Sequence, residues 1–88
     1  MGYEIKLEHA SPDKVQVTIW ETFRNNNGDI SDRETKTGFQ ENRRNTSMGA
    51  IEEVATMMAR AKTRAETWVK EDEEAQRIQR EYNAYSRG

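Results

Sequence analysis

The longest regular pattern of apolar residues lies in the second half of the chain, over residues 48–86. This stretch contains no proline, and its only glycine is Gly49 in the first turn. Its apolar residues recur every three or four positions, which places them along one stripe of an α-helix. The stripe consists of Ile51, Val54, Met58, Ala61, Ala65 and Trp68, and it resumes beyond a charged run with Ala75, Ile78, Tyr82 and Tyr85. The pattern predicts one helix over residues 48–86, with Ser47 as its N-cap residue and Glu52 and Glu53 near its positive end.

A helix of that length outruns any sheet that the rest of the chain can build. It would be about 55–60 Å long, whereas an eight-residue strand spans only about 27 Å. We therefore expect the first half, Ile51 to Trp68, to cover the sheet. The second half, with Ile78, Tyr82 and Tyr85, either contacts a second copy of the chain or folds back through a bend near residues 70–74. We prefer the homodimer, because an apolar stripe that stays in water does not stabilise the helix, whereas contact with a second copy would bury it.

The first half of the chain alternates between apolar and polar residues, as β-strands with one buried face do. Tyr3, Ile5 and Leu7 alternate with charged residues in a first strand, and a turn follows at residues 11–14. A second strand covers residues 14–24. Its expected buried residues are Val15, Val17, Ile19 and Phe23, and its other face carries Lys14, Gln16, Thr18, Trp20 and Thr22.

Residues 25–29, with the sequence Asn-Asn-Asn-Gly-Asp, predict a hairpin loop, since Asn and Gly tolerate positive φ. A two-residue loop would set Glu21 against Glu34, a like-charge pair across two strands. We therefore prefer a three-residue loop closed by Gly28. The pairs that follow from this loop are Asn25 with Asp29, Glu21 with Arg33, and Val15 with Phe39.

Together these elements predict an α+β fold in one domain of residues 1–88. A three-stranded antiparallel β-meander (residues 1–47) precedes one long C-terminal helix packed on one face of the sheet. The third strand, roughly residues 29–39, is polar and suits an edge of the sheet. The residues expected in the core are Val15, Val17, Ile19, Phe39, Ile51, Val54 and Met58.

Charge and composition narrow the classes of function. The 88 residues carry a formal charge of −2, and each half of the chain holds 7 basic and 8 acidic side chains. This even distribution argues against binding driven by the charge of nucleic acid, which needs a concentrated basic surface. The absence of cysteine fits a reducing compartment. No apolar run is long enough for a membrane span, so we expect a cytoplasmic protein that does not contact membranes.

The chain shows no motif for catalysis or for a cofactor. His9 is its only histidine, and no nucleophile stands at a recognised spacing from it. One histidine among scattered carboxylates makes no metal-ligand motif, and no glycine-rich phosphate loop is present. We therefore expect a protein that is not an enzyme and that holds neither metal nor cofactor.

Two surfaces are candidates for binding another protein. Trp20 lies out of phase with the core residues of its strand, so it either stands on the open face between Thr18 and Thr22 or is turned inward by a bulge. Large aromatic residues on open faces are enriched at protein–protein hot spots. The second candidate is the far end of the helix, with Ile78, Tyr82 and Tyr85. The rival hypothesis is a nucleic-acid-binding module that uses Arg24, Arg33, Arg43 and Arg44, which we expect to lie close together near the loop end of the sheet.

The order of elements from Tyr3 to about Glu66 resembles the DNA-binding domains of AP2 transcription factors and of some phage integrases. Those domains read the major groove with arginines on the open face of a three-stranded sheet. Here the resemblance covers topology alone, because the corresponding face is nearly neutral. It offers Glu4, Lys6, Glu8, Lys14, Gln16, Thr18, Trp20 and Thr22.

The size of the chain and its lack of catalytic motifs resemble the small accessory proteins of phages and mobile elements, anti-CRISPR proteins among them. This resemblance rests on architecture rather than on a motif. It implies an inhibitor or adaptor that occupies a surface of a larger complex, in the host cytoplasm if a phage encodes the chain.

Overall fold

A computed structural model describes residues 2–87 and contains three antiparallel strands followed by one long helix, as predicted. The elements are β1 (Gly2–Ser11), β2 (Lys14–Arg24), β3 (Ile30–Asn42) and α1 (Val54–Arg87). The strands form one sheet in the order β1-β2-β3, with β2 in the middle. The helix α1 packs against one face of this sheet.

The core lies between the central strand and the first half of the helix. Val15, Val17 and Ile19, which alternate along β2, are fully buried as predicted. Phe23, expected on the same buried face, is only half-buried and lies outside the core cluster. Ala61 and Ala65 of α1 are also fully buried, and their small side chains let the helix backbone lie close to the sheet. Half-buried apolar residues surround this centre: Tyr3, Ile5, Leu7, Phe39, Val54, Met58, Trp68 and Val69.

The helix begins at Val54 rather than at residue 48, and Ser47 is not its N-cap. Residues 44–52 instead form a short second hairpin. In it, Thr46 N–H donates to the Ala50 carbonyl (2.6 Å) and Glu52 N–H donates to the Arg44 carbonyl (2.9 Å). Gly49 closes the turn at φ 81°, a left-handed conformation that a helix cannot contain. The helix starts only after this hairpin, where Met57 N–H donates to the Glu53 carbonyl.

The later start also changes which helical residues are buried. Ile51 pairs with Asn45 in the hairpin and is 61% exposed, so the prediction that it is a core residue was wrong. Met57 takes the core position instead and is fully buried. Val54, Met58 and Phe39, which were also predicted in the core, are half-buried.

The β2–β3 loop has the predicted geometry, but the register beyond it differs. Asn25 N–H donates to the Asp29 carbonyl (2.9 Å), and Gly28 has φ 86°. The register then shifts twice along β3, which leaves Ser31 and Lys36 without a partner on β2. The resulting pairs are Glu21 with Glu34 and Val17 with Phe39, so the predicted pairs Glu21–Arg33 and Val15–Phe39 were wrong.

The helix is continuous through residues 70–74 and projects beyond the sheet. Its 34 residues correspond to about 51 Å, and the molecule measures 59 Å along its longest axis. Among residues 2–87 there is no helix that is both long enough and apolar enough to cross a lipid bilayer.

Candidate functional site

Trp20 lies on the face of the sheet opposite to α1. Its cross-strand neighbours are Glu4 on β1 and Thr35 on β3, and none of these three belongs to the core. The side chain of Trp20 is half-buried. The register therefore answers the question that the sequence left open, and Trp20 is a residue of the open face.

Arg33 holds Trp20 in place from the neighbouring strand. Its guanidinium carbon lies 5.7 Å from the centre of the Trp20 ring, within the range of a cation–π interaction. Its Nη1 also donates to Glu4 Oε2 at 2.9 Å, so the side chain reaches across the central strand. The contact fixes the indole at the surface and places a cation and an anion on either side of it.

The sequence pattern did not predict the contact between Arg33 and Trp20. An uninterrupted β3 would put Arg33 on the same face as Phe39, under the helix. The extra residue at Lys36 turns the preceding part of β3 over, so that Arg33 pairs with Thr22 and faces outward. The one signal available was the sequence Thr35-Lys36-Thr37-Gly38, in which no apolar residue marks the buried face.

A shallow depression of about 370 Å³ surrounds this contact, and it is lined by Glu4, Ile5, Lys6, Trp20 and Arg33. Thr18 continues the surface, and its neighbour on β3 is Gly38, which adds no side chain there. Thr22 is only 4% exposed and offers a partner little surface. The site is therefore a flat surface of mixed charge around one aromatic ring.

The far end of the helix presents the second candidate surface. Ile78, Tyr82 and Tyr85 are 53%, 64% and 87% exposed. At about 100° per residue, they point about 120–180° away from Gln76, which contacts the sheet. They therefore do not fold back onto the sheet, and the alternative of a bend near residues 70–74 was wrong.

The four arginines proposed for nucleic-acid contact lie at opposite ends of the sheet. Arg24 donates to the Gly28 carbonyl (2.6 Å) at the β2–β3 loop, and Arg33 is engaged with Trp20. Arg43 lies at the other end, where it donates to the Glu52 carbonyl and pairs with Asp13. Arg44, which lies next to it, is exposed. The prediction that they cluster near one loop was wrong, because about 26–33 Å of β2 separates the two pairs.

Two polar clusters anchor the helix to the sheet, and neither was predicted from the sequence. In the first cluster, Tyr3 Oη donates to Asp72 Oδ2, and Gln76 Nε2 donates to Glu21 Oε2 (3.1 Å). Lys36 Nζ lies 3.8 Å from Glu21 and 3.9 Å from Asp72 and supplies the opposing charge. Burial, followed by the Asp72 hydrogen bond and nearby negative charges, raises the pKa of Tyr3.

The second cluster centres on Arg60, near the start of the helix. Its guanidinium donates to Glu52 Oε1 (2.7 Å), to Glu41 Oε2 (3.1 Å) and to the Asn42 carbonyl (2.8 Å). The hydrogen bond from Arg60 lowers the pKa of Glu52 to about 2. Burial would raise the pKa of Glu41, but hydrogen bonds from Arg64 and Arg60 outweigh it and lower the pKa. Each of the three guanidinium nitrogens of Arg60 donates to a protein acceptor, which is the arrangement of a structural cluster.

No metal centre emerges from the described part of the chain. Within residues 2–87, no three His, Cys, Asp or Glu side chains are grouped so that they could hold a metal ion. His9, the histidine singled out in the sequence, is exposed near the end of β1.

Comparison of the chain with protein-family models, with curated proteins and with solved structures finds no match.

Proposed function

We propose that this chain is a non-enzymatic protein-binding module, an inhibitor or adaptor that acts by occupying a surface of a larger protein or protein complex. The observation that carries the proposal is Trp20, held on the open face of the sheet between Arg33 and Glu4. Trp and Arg are the residues most enriched at binding hot spots. A half-buried indole with a fixed orientation also loses little conformational entropy when a partner covers it.

The charges around Trp20 favour a protein over a nucleic acid as the partner. The open face alternates acidic and basic side chains along β1, with Glu4, Lys6 and Glu8 in succession. Phosphate backbones repel such carboxylates, whereas protein surfaces can complement both signs. The separation of Arg24 from Arg43 and Arg44 also leaves no continuous basic stripe.

The end of the helix supplies a second binding surface in this proposal. Ile78, Tyr82 and Tyr85 stand clear of the sheet and can enter a groove that the domain itself does not fill. We place the activity in the cytoplasm, since a chain without cysteine suits a reducing compartment. A phage or mobile-element accessory protein of the anti-CRISPR type would fit this mode of action.

Affinity capture from a lysate of cells that express the chain tests the proposal. A protein partner should be recovered with the wild type at both 0.1 and 0.5 M salt (roughly twofold apart in Debye length), and Trp20→Ala should reduce its recovery by about tenfold or more. Gln40→Ala, on the same face, is the matched control and should bind normally. Recovery of nucleic acid with a steep loss between the two salt concentrations would instead support the nucleic-acid-binding module.

A further inference from the structure

The two outer strands of the sheet differ in how well their free edges can accept another strand. β3 is interrupted by bulges at Ser31 and Lys36, and bulges are a known device that protects an edge from pairing. β1 has no such interruption between Gly2 and His9, where it pairs with β2 in one constant register. Within residues 2–87 its other edge pairs with no strand.

We propose that β1 pairs antiparallel with β1 of a second copy of this chain, which joins two three-stranded sheets into one sheet of six strands. The sequence of β1 is complementary to itself when a two-fold axis passes through Ile5. Glu4 then faces Lys6 of the second copy, and the symmetry repeats this pair of opposite charges. On the helix side, Tyr3 faces Leu7 of the second copy and the two Ile5 side chains face each other.

Charge and geometry select this register over its neighbours. An axis through Lys6 would set the two Lys6 side chains against each other and Glu4 against Glu8, both like-charge pairs. An axis through Leu7 would set Ile5 against the exposed His9. It would also extend the pairing across the irregularity between His9 and Ser11. The register about Ile5 uses only the regular part of β1.

The pairing also covers apolar surface that a single copy leaves in water. Tyr3, Ile5 and Leu7 belong to the core but are only half-buried, because no strand lies beyond them. The ion pairs that Glu4 and Lys6 make within one copy do not prevent their pairing with a second copy. Lys6 pairs with Glu8 and Arg33 with Glu4, but both ion pairs are exposed and stabilise the monomer little.

The helices leave room for the second copy. α1 contacts all three strands, so it runs over the central one. In the paired sheet the two β2 strands are three strand spacings apart, about 14 Å. Helices touch at 8–10 Å, so the two α1 helices lie side by side without a clash. The inference goes beyond the proposed function, since it concerns the free edge of β1. Glu4 and Lys6 of that edge also line the depression beside Trp20, and the two Trp20 side chains stay on the face opposite the helices.

A disulfide tests the register directly, because the chain contains no cysteine. At the two-fold axis the Cα atoms of two Ile5 residues would be about 4.5–5.5 Å apart, which falls within the range that a disulfide spans. Ile5→Cys should therefore give a covalent dimer under mild oxidation. Leu7→Cys is the matched control: its copies would be about 13 Å apart along the strands, and it should stay monomeric on a non-reducing gel.

Sedimentation velocity provides a second test that leaves the core intact. Because this interface is small, we expect a dimer that dissociates in the micromolar range. Lys6→Glu should raise the dissociation constant by about tenfold or more, since two attractive pairs become repulsive. The double variant Glu4→Lys, Lys6→Glu should restore dimerisation, and Glu8→Lys, which faces Gly2 of the second copy, should change it less than about threefold.

Several results would overturn the proposal. They are a wild type that stays monomeric at about 1 mM, far above the expected dissociation constant, equal cross-linking of the two cysteine variants, and a dimer that Lys6→Glu leaves intact. Each can occur whether or not Trp20 binds a partner, so the fate of this proposal is separate from that of the proposed function.

Discussion

The hydroxyl of Tyr3 donates a hydrogen bond of 2.5 Å to Oδ2 of Asp72, which joins the first strand to the middle of the helix. Nε2 of Gln76 lies 3.0 Å from the same hydroxyl and 2.9 Å from Asp72 Oδ2, so its two hydrogens are shared among these oxygens and Glu21 Oε2. These contacts lie where the sheet-facing stripe of α1 changes from apolar to polar residues. The helix is thus held to the sheet by polar side chains for about two further turns beyond Trp68 and Val69.

Tyr3→Phe should lower the free energy of unfolding by about 1–2 kcal/mol. The substitution keeps the ring in place but removes the hydroxyl that donates to Asp72 and accepts from Gln76 in a partly buried site. Tyr85→Phe, at a position that is 87% exposed, is the control and should change stability by less than about 0.5 kcal/mol. Chemical denaturation followed by circular dichroism measures both.

The same residue should make the protein sensitive to alkaline pH. The pKa of Tyr3 is raised above its ordinary value of 10.0 by burial first and then by Asp72. The stability that neutral Tyr3 contributes is therefore fully present below pH 10 and declines as the pH rises above it, where the unfolded chain ionises more readily. Melting temperatures between pH 8 and about 11 should fall less steeply in Tyr3→Phe than in the wild type. Parallel curves would contradict this assignment.

Acid should weaken the cluster around Arg60. The pKa of Glu52 is lowered from 4.5 to about 2, mainly by the hydrogen bond from Arg60. The contribution of Glu52 to stability is present above pH 4.5 and is lost as the pH falls through this range towards 2. Glu52→Gln should be less stable than the wild type at pH 7 and should lose less stability on acidification. A difference between the two proteins that stays constant from pH 7 to about 3 would show that Glu52 is not the titrating group.

Two apolar positions near the start of the helix distinguish the observed packing from the predicted one. Met57→Ala should cost about 2–4 kcal/mol, because it opens a cavity at a fully buried position. Ile51→Ala should cost less than about 1 kcal/mol, since Ile51 lies on the exposed second hairpin. Denaturant titration measures the unfolding free energy of both variants. A larger loss in Ile51→Ala than in Met57→Ala would mean that Ile51, as first predicted, is the core residue.

The end of the helix should tolerate polar substitutions without loss of fold. The double variant Ile78→Asp, Tyr82→Ser removes apolar surface that is already in water, so the unfolding free energy should change by less than about 0.5–1 kcal/mol. If the helix end binds a partner protein, the same variant should reduce recovery of that partner, while Gln79→Ala should not. A large loss of stability in a verified monomer would mean that these residues pack on their own domain.

The order of elements, three of the four expected core residues of β2 and the three-residue loop closed by Gly28 could be predicted from the pattern of residues alone. These features depend on local periodicity and on the conformations that Asn and Gly allow, which can be recognised without knowledge of distant residues. The register of β3, in contrast, is set by how the strands meet in the folded chain. Bulges at Ser31 and Lys36 leave the composition of the strand unchanged, yet they bring Arg33 to the open face beside Trp20.

The start of the helix was decided in the same way. The apolar spacing continues back to Ile51, but Gly49 closes a hairpin there. Glu52 is held by hydrogen bonds from Arg43, just after β3, and from Arg60 in α1. Periodicity describes one segment at a time, whereas the ends of elements depend on hydrogen bonds from segments that meet only in the folded chain. For that reason the pattern identified Trp20 as a candidate, and only the fold supplied the neighbours that make it a site.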